Sequence, residues 1–237
     1  MIEIIPFETL GHANHGWLDA RHHFSFASYL NRNRMGHPPL RVWNDDTIQG
    51  KTGFPMHPHD NMEIITYIRE GAITHEDNMG NKGRITKGQI QVMSAGTGVF
   101  HSEYNLENEP TTLFQIWIQS GTWNVKPRYE TREMPEPDGG EWIILASGRE
   151  KDKDTNAVMI YQDASLLVGK AETGKNLTYD IPEGRHAYLV PPTGKYKLEN
   201  EIFSKRDGVY ITGPHNLNIE AVEAGTIVLA DLPKLDY

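Results

Sequence analysis

The sequence predicts an all-β protein of two domains, each a sandwich or a barrel, on three observations. Short β-rich runs are separated by Gly, Pro, Asn and Asp turns along the whole chain. The first half offers no long amphipathic helix. Near the middle, Met134-Pro-Glu-Pro-Asp-Gly-Gly140 has the composition of a linker.

The elements follow in order. His57-Pro-His59 and His101-Ser-Glu103 are read as strand segments, because residues i and i+2 of a strand project from one face. Ile64–Ile68 is β-branched and stops at Glu70-Gly71. Ala72–Glu76 and Arg84–Thr86 flank the turn cluster Asp77–Gly83, which reads as a hairpin. Gln89–Met93 and part of Leu113–Ile118 alternate with period two, and Ser94-Ala-Gly-Thr-Gly98 is a tight connection after the first of them. Beyond the linker the β pattern resumes at Trp142–Leu145, Ala187–Val190, Lys195–Leu198, Val209–Thr212 and Thr226–Leu229, with turns at Pro191–Gly194 and Arg206–Gly208.

Composition narrows the function. The chain has 237 residues, 38% of them apolar, enough for a real core. Its net charge is −9, and no Lys/Arg cluster offers a basic face, so direct nucleic-acid binding is not expected. No stretch reaches the roughly 18 to 20 apolar residues of a membrane helix. The start, Met1-Ile-Glu-Ile-Ile5, carries acid where a signal peptide carries positive charge. Cysteine is absent, which removes disulfides, a thiolate nucleophile and thiolate metal ligands. A cytoplasmic location is the expectation.

The two triplets carry the chemistry. Two inward-facing strands can bring three imidazoles and a carboxylate to one point, a donor set suited to Fe, Mn, Co, Ni, Cu or Zn. His-x-His alone is a weak signal, and His-x-acid weaker still, since His75-Glu76-Asp77 is a second instance. Context strengthens the first pair: Gly53 precedes it, Glu63 follows it, and a β-run begins at once. The second half has only His186 and His215, so no matching site is expected there. Glu63 has the same strand parity as His59 and competes with Glu103 as the carboxylate.

The blocks Gly53–Gly71 and Gly88–Asn105 resemble the two motifs of the cupin superfamily, with departures in glycine spacing and with Ser94 where proline is common. Gly11-His-Ala-Asn-His-Gly-Trp-Leu-Asp19, His23-Phe-Ser-Phe26, Leu40-Arg-Val, Asn44-Asp-Asp46 and Met93-Ser-Ala-Gly-Thr-Gly98 resemble the narrower pirin family over about residues 10–130. The resemblance implies a bicupin, two jelly-roll-like barrels packed together. Its N-terminal domain, 1–134, would hold one metal and its C-terminal domain, 135–237, would be degenerate. By position the pirin ligands fall on His57, His59, His101 and Glu103, which favours Glu103 over Glu63. Iron(II) is the first choice of metal, with Mn, Co, Ni, Cu and Zn open.

Bacterial pirins imply a metal-dependent dioxygenase that cleaves a flavonol such as quercetin with dioxygen and releases carbon monoxide. Glu103 would take the proton of the 3-hydroxyl. Animal pirins imply the alternative, a metal- or redox-responsive regulator that binds other proteins without turnover; an isomerase or epimerase on the same scaffold is a third reading. Phe24, Phe26, Phe54 and Trp117 are candidates for an aromatic pocket wall, and Met56 and Met93 for the apolar shell of the metal. His12, His15, His22 and His23 read individually as hydrogen-bonded loop histidines.

Overall fold

A computed structural model describes residues 1–235. Among them the helical segments are two single turns of 3₁₀ helix, Phe7–Thr9 and Glu150–Asp152, and the rest is strand, turn and loop. Among the described residues no helix is long and apolar enough to cross a membrane. The chain divides into two compact units.

One unit comprises Gly11–Met134 with Ile160–Gln162. Its larger sheet runs Arg128–Glu133, Gln89–Ser94, Met62–Glu70, Thr111–Gln119, Leu40–Ile48, Leu18–His22, Gly11–Asn14. Its smaller sheet runs Thr52–His59, Val99–Asn105, Ala72–Asp77, Lys82–Thr86. The predicted hairpin is present, with Ala72 opposite Thr86 and Glu76 opposite Lys82. Ile68, Leu113, Ile48 and Leu18 of the larger sheet bury against Ile73 and Ile85 of the smaller one, so the core lies between the sheets. Each such side chain contributes about 1.5–3 kcal/mol by leaving water.

The other unit comprises Met1–Leu10, Pro135–Met159 and residues 163–235. It holds a seven-stranded and a four-stranded sheet around Leu189, Tyr196, Phe203, Ile219 and Leu229. Ile2–Ile5 pairs with Gly208–Thr212, Ile2 opposite Ile211, and Ile2 and Ile4 pack on this core. The first ten residues therefore fold with the C-terminal part of the chain. The linker segment Met134–Gly140 has no strand or helix.

Candidate metal centre

Val99–Asn105 and Thr52–His59 are antiparallel neighbours, and His101 lies opposite His57. The register then slips, so that Glu103 faces Phe54. The extra residue falls on the Thr52–His59 strand, around Pro55 and Met56. This strand is the edge of its sheet, where prolines and bulges are tolerated. A bulge of this kind re-aims side chains, and here it sits between the two triplets.

His57, His59 and His101 each offer a nitrogen within 4.8 Å of the others. Glu103 enters a second grouping, with His101 and His75, by the same measure. His101 is common to both. His75 is the residue that sequence reasoning passed over as a coincidental His-x-acid pair. Its signal is positional, because on the third strand of this sheet it lies directly opposite Glu103.

The hydrogen bonds set the tautomers. His57 Nδ1 lies 2.7 Å from the Pro55 carbonyl and donates to it, which leaves a lone pair on Nε2. Hydrogen bonds from Asn81 and His75 hold Asp77 below the usual carboxylate range, although its burial acts the other way. The carboxylate accepts from His75 Nε2 at 3.3 Å. His75 Nδ1 then accepts from His101 Nδ1 at 3.4 Å, so His101 Nε2 also carries a lone pair. These two lone-pair nitrogens, His57 Nε2 and His101 Nε2, meet at 3.0 Å. His59 Nε2 is buried with no hydrogen-bond partner. Burial, reinforced by the neighbouring imidazoles, pulls His59 and His101 down to about 3. The neutral imidazoles of His59 and His101 and the ring of His57 bring their nitrogens to one place, a set that a cation reconciles.

Glu103 is 4% exposed. Thr66 Oγ1 donates to one oxygen at 3.3 Å and Gln115 Nε2 to the other at 2.7 Å. Burial raises its carboxyl above the usual range. Glu63 is placed differently. Its two oxygens accept from Ser94 Oγ at 2.6 Å and Ser120 Oγ at 2.5 Å, and it belongs to neither grouping.

A cavity of about 150 Å³ opens beside the cluster. His57, Glu103, Gln115, Phe26, Phe54 and Trp117 line part of it. Three of the four aromatic candidates thus form its wall, while Phe24 is 1% exposed in the core against His37. Met56 is 51% exposed and does not shield the cluster, because the bulged edge strand turns it outward; Met93 is buried with Ile64 and Val99. His22 is a strand residue on the cavity wall, bonded through Nδ1 to Asn44 Oδ1 at 2.9 Å, and not a loop histidine.

Comparison with known proteins follows the same division. The family model for pirin matches residues 6–118, and that for the quercetinase C-terminal cupin domain matches 142–232. A pirin-like protein of Caulobacter vibrioides is 48% identical over 98% of this chain and 99% of its own length. Quercetin 2,3-dioxygenase of Escherichia coli is 38% identical over 98% of this chain and 99% of its own. The crystal structure of the bacterial pirin YhhW from Escherichia coli in complex with nickel(II) superposes with a TM-score of 0.93, at 36% identity, covering 99% of this chain and 100% of that one.

Proposed function

The chain belongs to the pirin family, with two cupin domains, and on that premise we propose that it is a metal-dependent dioxygenase that cleaves a flavonol such as quercetin and releases carbon monoxide. The observation that carries this reading is the convergence of unsatisfied imidazole nitrogens at the wall of an aromatic-lined cavity that also contains a buried carboxylate. We assign His57, His59, His101 and Glu103 as the ligands of one divalent metal in the N-terminal cupin domain, and none in the C-terminal one. Iron(II) suits this N/O set; nickel, manganese, cobalt, copper and zinc fit it too, and availability decides among them.

A bound metal supplies Lewis acidity, which makes a substrate hydroxyl acidic and favours attack by dioxygen. The chain's own groups do the rest. Glu103 takes the proton of the 3-hydroxyl, as the carboxylate on the cavity wall within reach of a ring held there. Gln115 and Thr66 hold its two oxygens in place. Phe26, Phe54 and Trp117 seat the flat ring system and keep water from it. The Asp77–His75–His101 series fixes the ring of His101 with its lone pair inward.

The test is oxygen uptake with quercetin by metal-reconstituted protein, beside the metal-stripped protein and a His101→Ala variant. Uptake with equimolar carbon monoxide, lost in both controls, is the expected result. No uptake with Fe, Mn, Co, Ni or Cu bound would contradict it and favour a regulator that binds other proteins.

A further inference from the structure

Most buried carboxylates of this chain have donors. Glu63 has Ser94 and Ser120, Glu103 has Thr66 and Gln115, Asp45 has Arg69, and Asp231 has Arg149, Arg185 and Tyr179. Asp46 differs. It is 3% exposed, its Oδ1 has no hydrogen-bond partner among the described residues, and it lines the cavity beside His57 and Glu103. Leu40–Ile48 puts it there: Asp46 and Asn44 share a face, opposite Leu113 and Gln115 on one side and Ala20 and His22 on the other. Trp117, on the same cavity, also has a buried indole N–H without a partner. Buried polar groups left unmade in a native fold mark places where something else completes them.

We propose that Asp46 is a substrate-binding residue whose carboxyl hydrogen-bonds an oxygen substituent of the substrate other than the hydroxyl that faces Glu103. The site would thereby select a flavonol with further hydroxyl groups over one bearing the 3-hydroxyl alone. This rests on the dioxygenase reading for the class of substrate. A cavity of about 150 Å³ admits roughly one aromatic ring. The substituent that Asp46 meets is therefore carried on the inserted part of the ligand. Burial, with Asp45 and Glu103 nearby, holds the Asp46 carboxyl well above the usual carboxylate range, so it can donate as well as accept.

Anaerobic calorimetric titration of the nickel(II)-loaded protein separates binding from turnover. Wild type is expected to bind quercetin at least about tenfold more tightly than 3-hydroxyflavone, the discrimination of one buried hydrogen bond. Asp46→Leu should shrink that preference to under about threefold, while Asp46→Asn, which keeps a donor, retains most of it. Should the Leu variant not fold, Asp46→Ala is read instead. The metal-free Leu or Ala variant should melt no lower than wild type, because it loses an unpartnered buried carboxyl. A preference unchanged in the Leu or Ala variant, no preference in wild type, or a marked fall in melting temperature would overturn the assignment. Dioxygen uptake on the same samples keeps the two readings apart. Selective binding that depends on Asp46 without uptake would sink the dioxygenase and leave Asp46 as assigned. Binding of neither flavonol would sink both.

Discussion

His57 and His101 approach nitrogen to nitrogen at 3.0 Å because each has its other ring nitrogen already engaged, His57 with the Pro55 carbonyl and His101 with His75. Burial keeps both His59 and His101 neutral down to about pH 3. In the unfolded chain they titrate near 6.5. Between those values the unfolded state binds more protons, so the stability of the metal-free chain must fall as pH drops from about 6.5 toward 3. Urea titrations across this window check it, and His59→Ala should flatten the slope. The two glutamates separate in the same way. Glu63→Ala leaves two serine hydroxyls unpaired and should cost about 1–3 kcal/mol with one metal per chain retained. Glu103→Gln should leave a folded chain with little or no turnover. A Glu63 variant that loses its metal would reverse the assignment. Strand parity left the two carboxylates open and the pirin resemblance favoured Glu103; in the structure they differ in their grouping with histidines and in their hydrogen-bond partners, which come from distant strands.

At the scale of elements, the hairpin at 72–86 and the strand runs at 64–68, 89–93 and 113–118 were legible because alternation and turn residues are local signals. The pairing of Val99–Asn105 with both Thr52–His59 and Ala72–Asp77 was not, since register across a sheet depends on residues far apart in sequence. That is why His75 escaped notice while His57, His59 and His101 did not. The prolines of Thr52–His59, which weaken a strand signal, belong to a bulged edge. Gly53 shows how tightly that edge is held. A Cβ there would lie 2.2 Å from the Glu103 carbonyl oxygen and 2.5 Å from Tyr104 Cα, both backbone atoms. Gly53→Val should therefore push the two ligand strands apart, costing roughly 1–3 kcal/mol or more. Metal affinity should fall with it, by about tenfold or more, as for other disturbances of ligand orientation. Metal titration followed by a thermal melt reads both effects, and unchanged affinity would show that the strands' spacing does not govern the site.

Over the whole molecule, the two units share an all-β plan but differ in what fills them. Both potential metal groupings found among the described residues belong to the unit of Gly11–Met134. The other unit instead buries Asp231 between Arg149 and Arg185, with Tyr179 donating to it at 2.6 Å. That network was invisible in the sequence, where its members are scattered over 83 positions, from 149 to 231. Asp231→Ala would leave the nearly buried guanidinium groups of Arg149 and Arg185 with Asp163 as their remaining carboxylate and should cost about 3 kcal/mol. Folded Asp231→Ala protein should still bind one metal per chain; loss of the metal would show that the site depends on the other unit.

The most direct test of the metal centre is anomalous diffraction at the absorption edge of a reconstituted metal. A single peak is expected, bounded by His57, His59, His101 and Glu103, with His75 outside bonding distance. A peak held by His75, His101 and Glu103 without His57 and His59, or carried by Glu63, would contradict it.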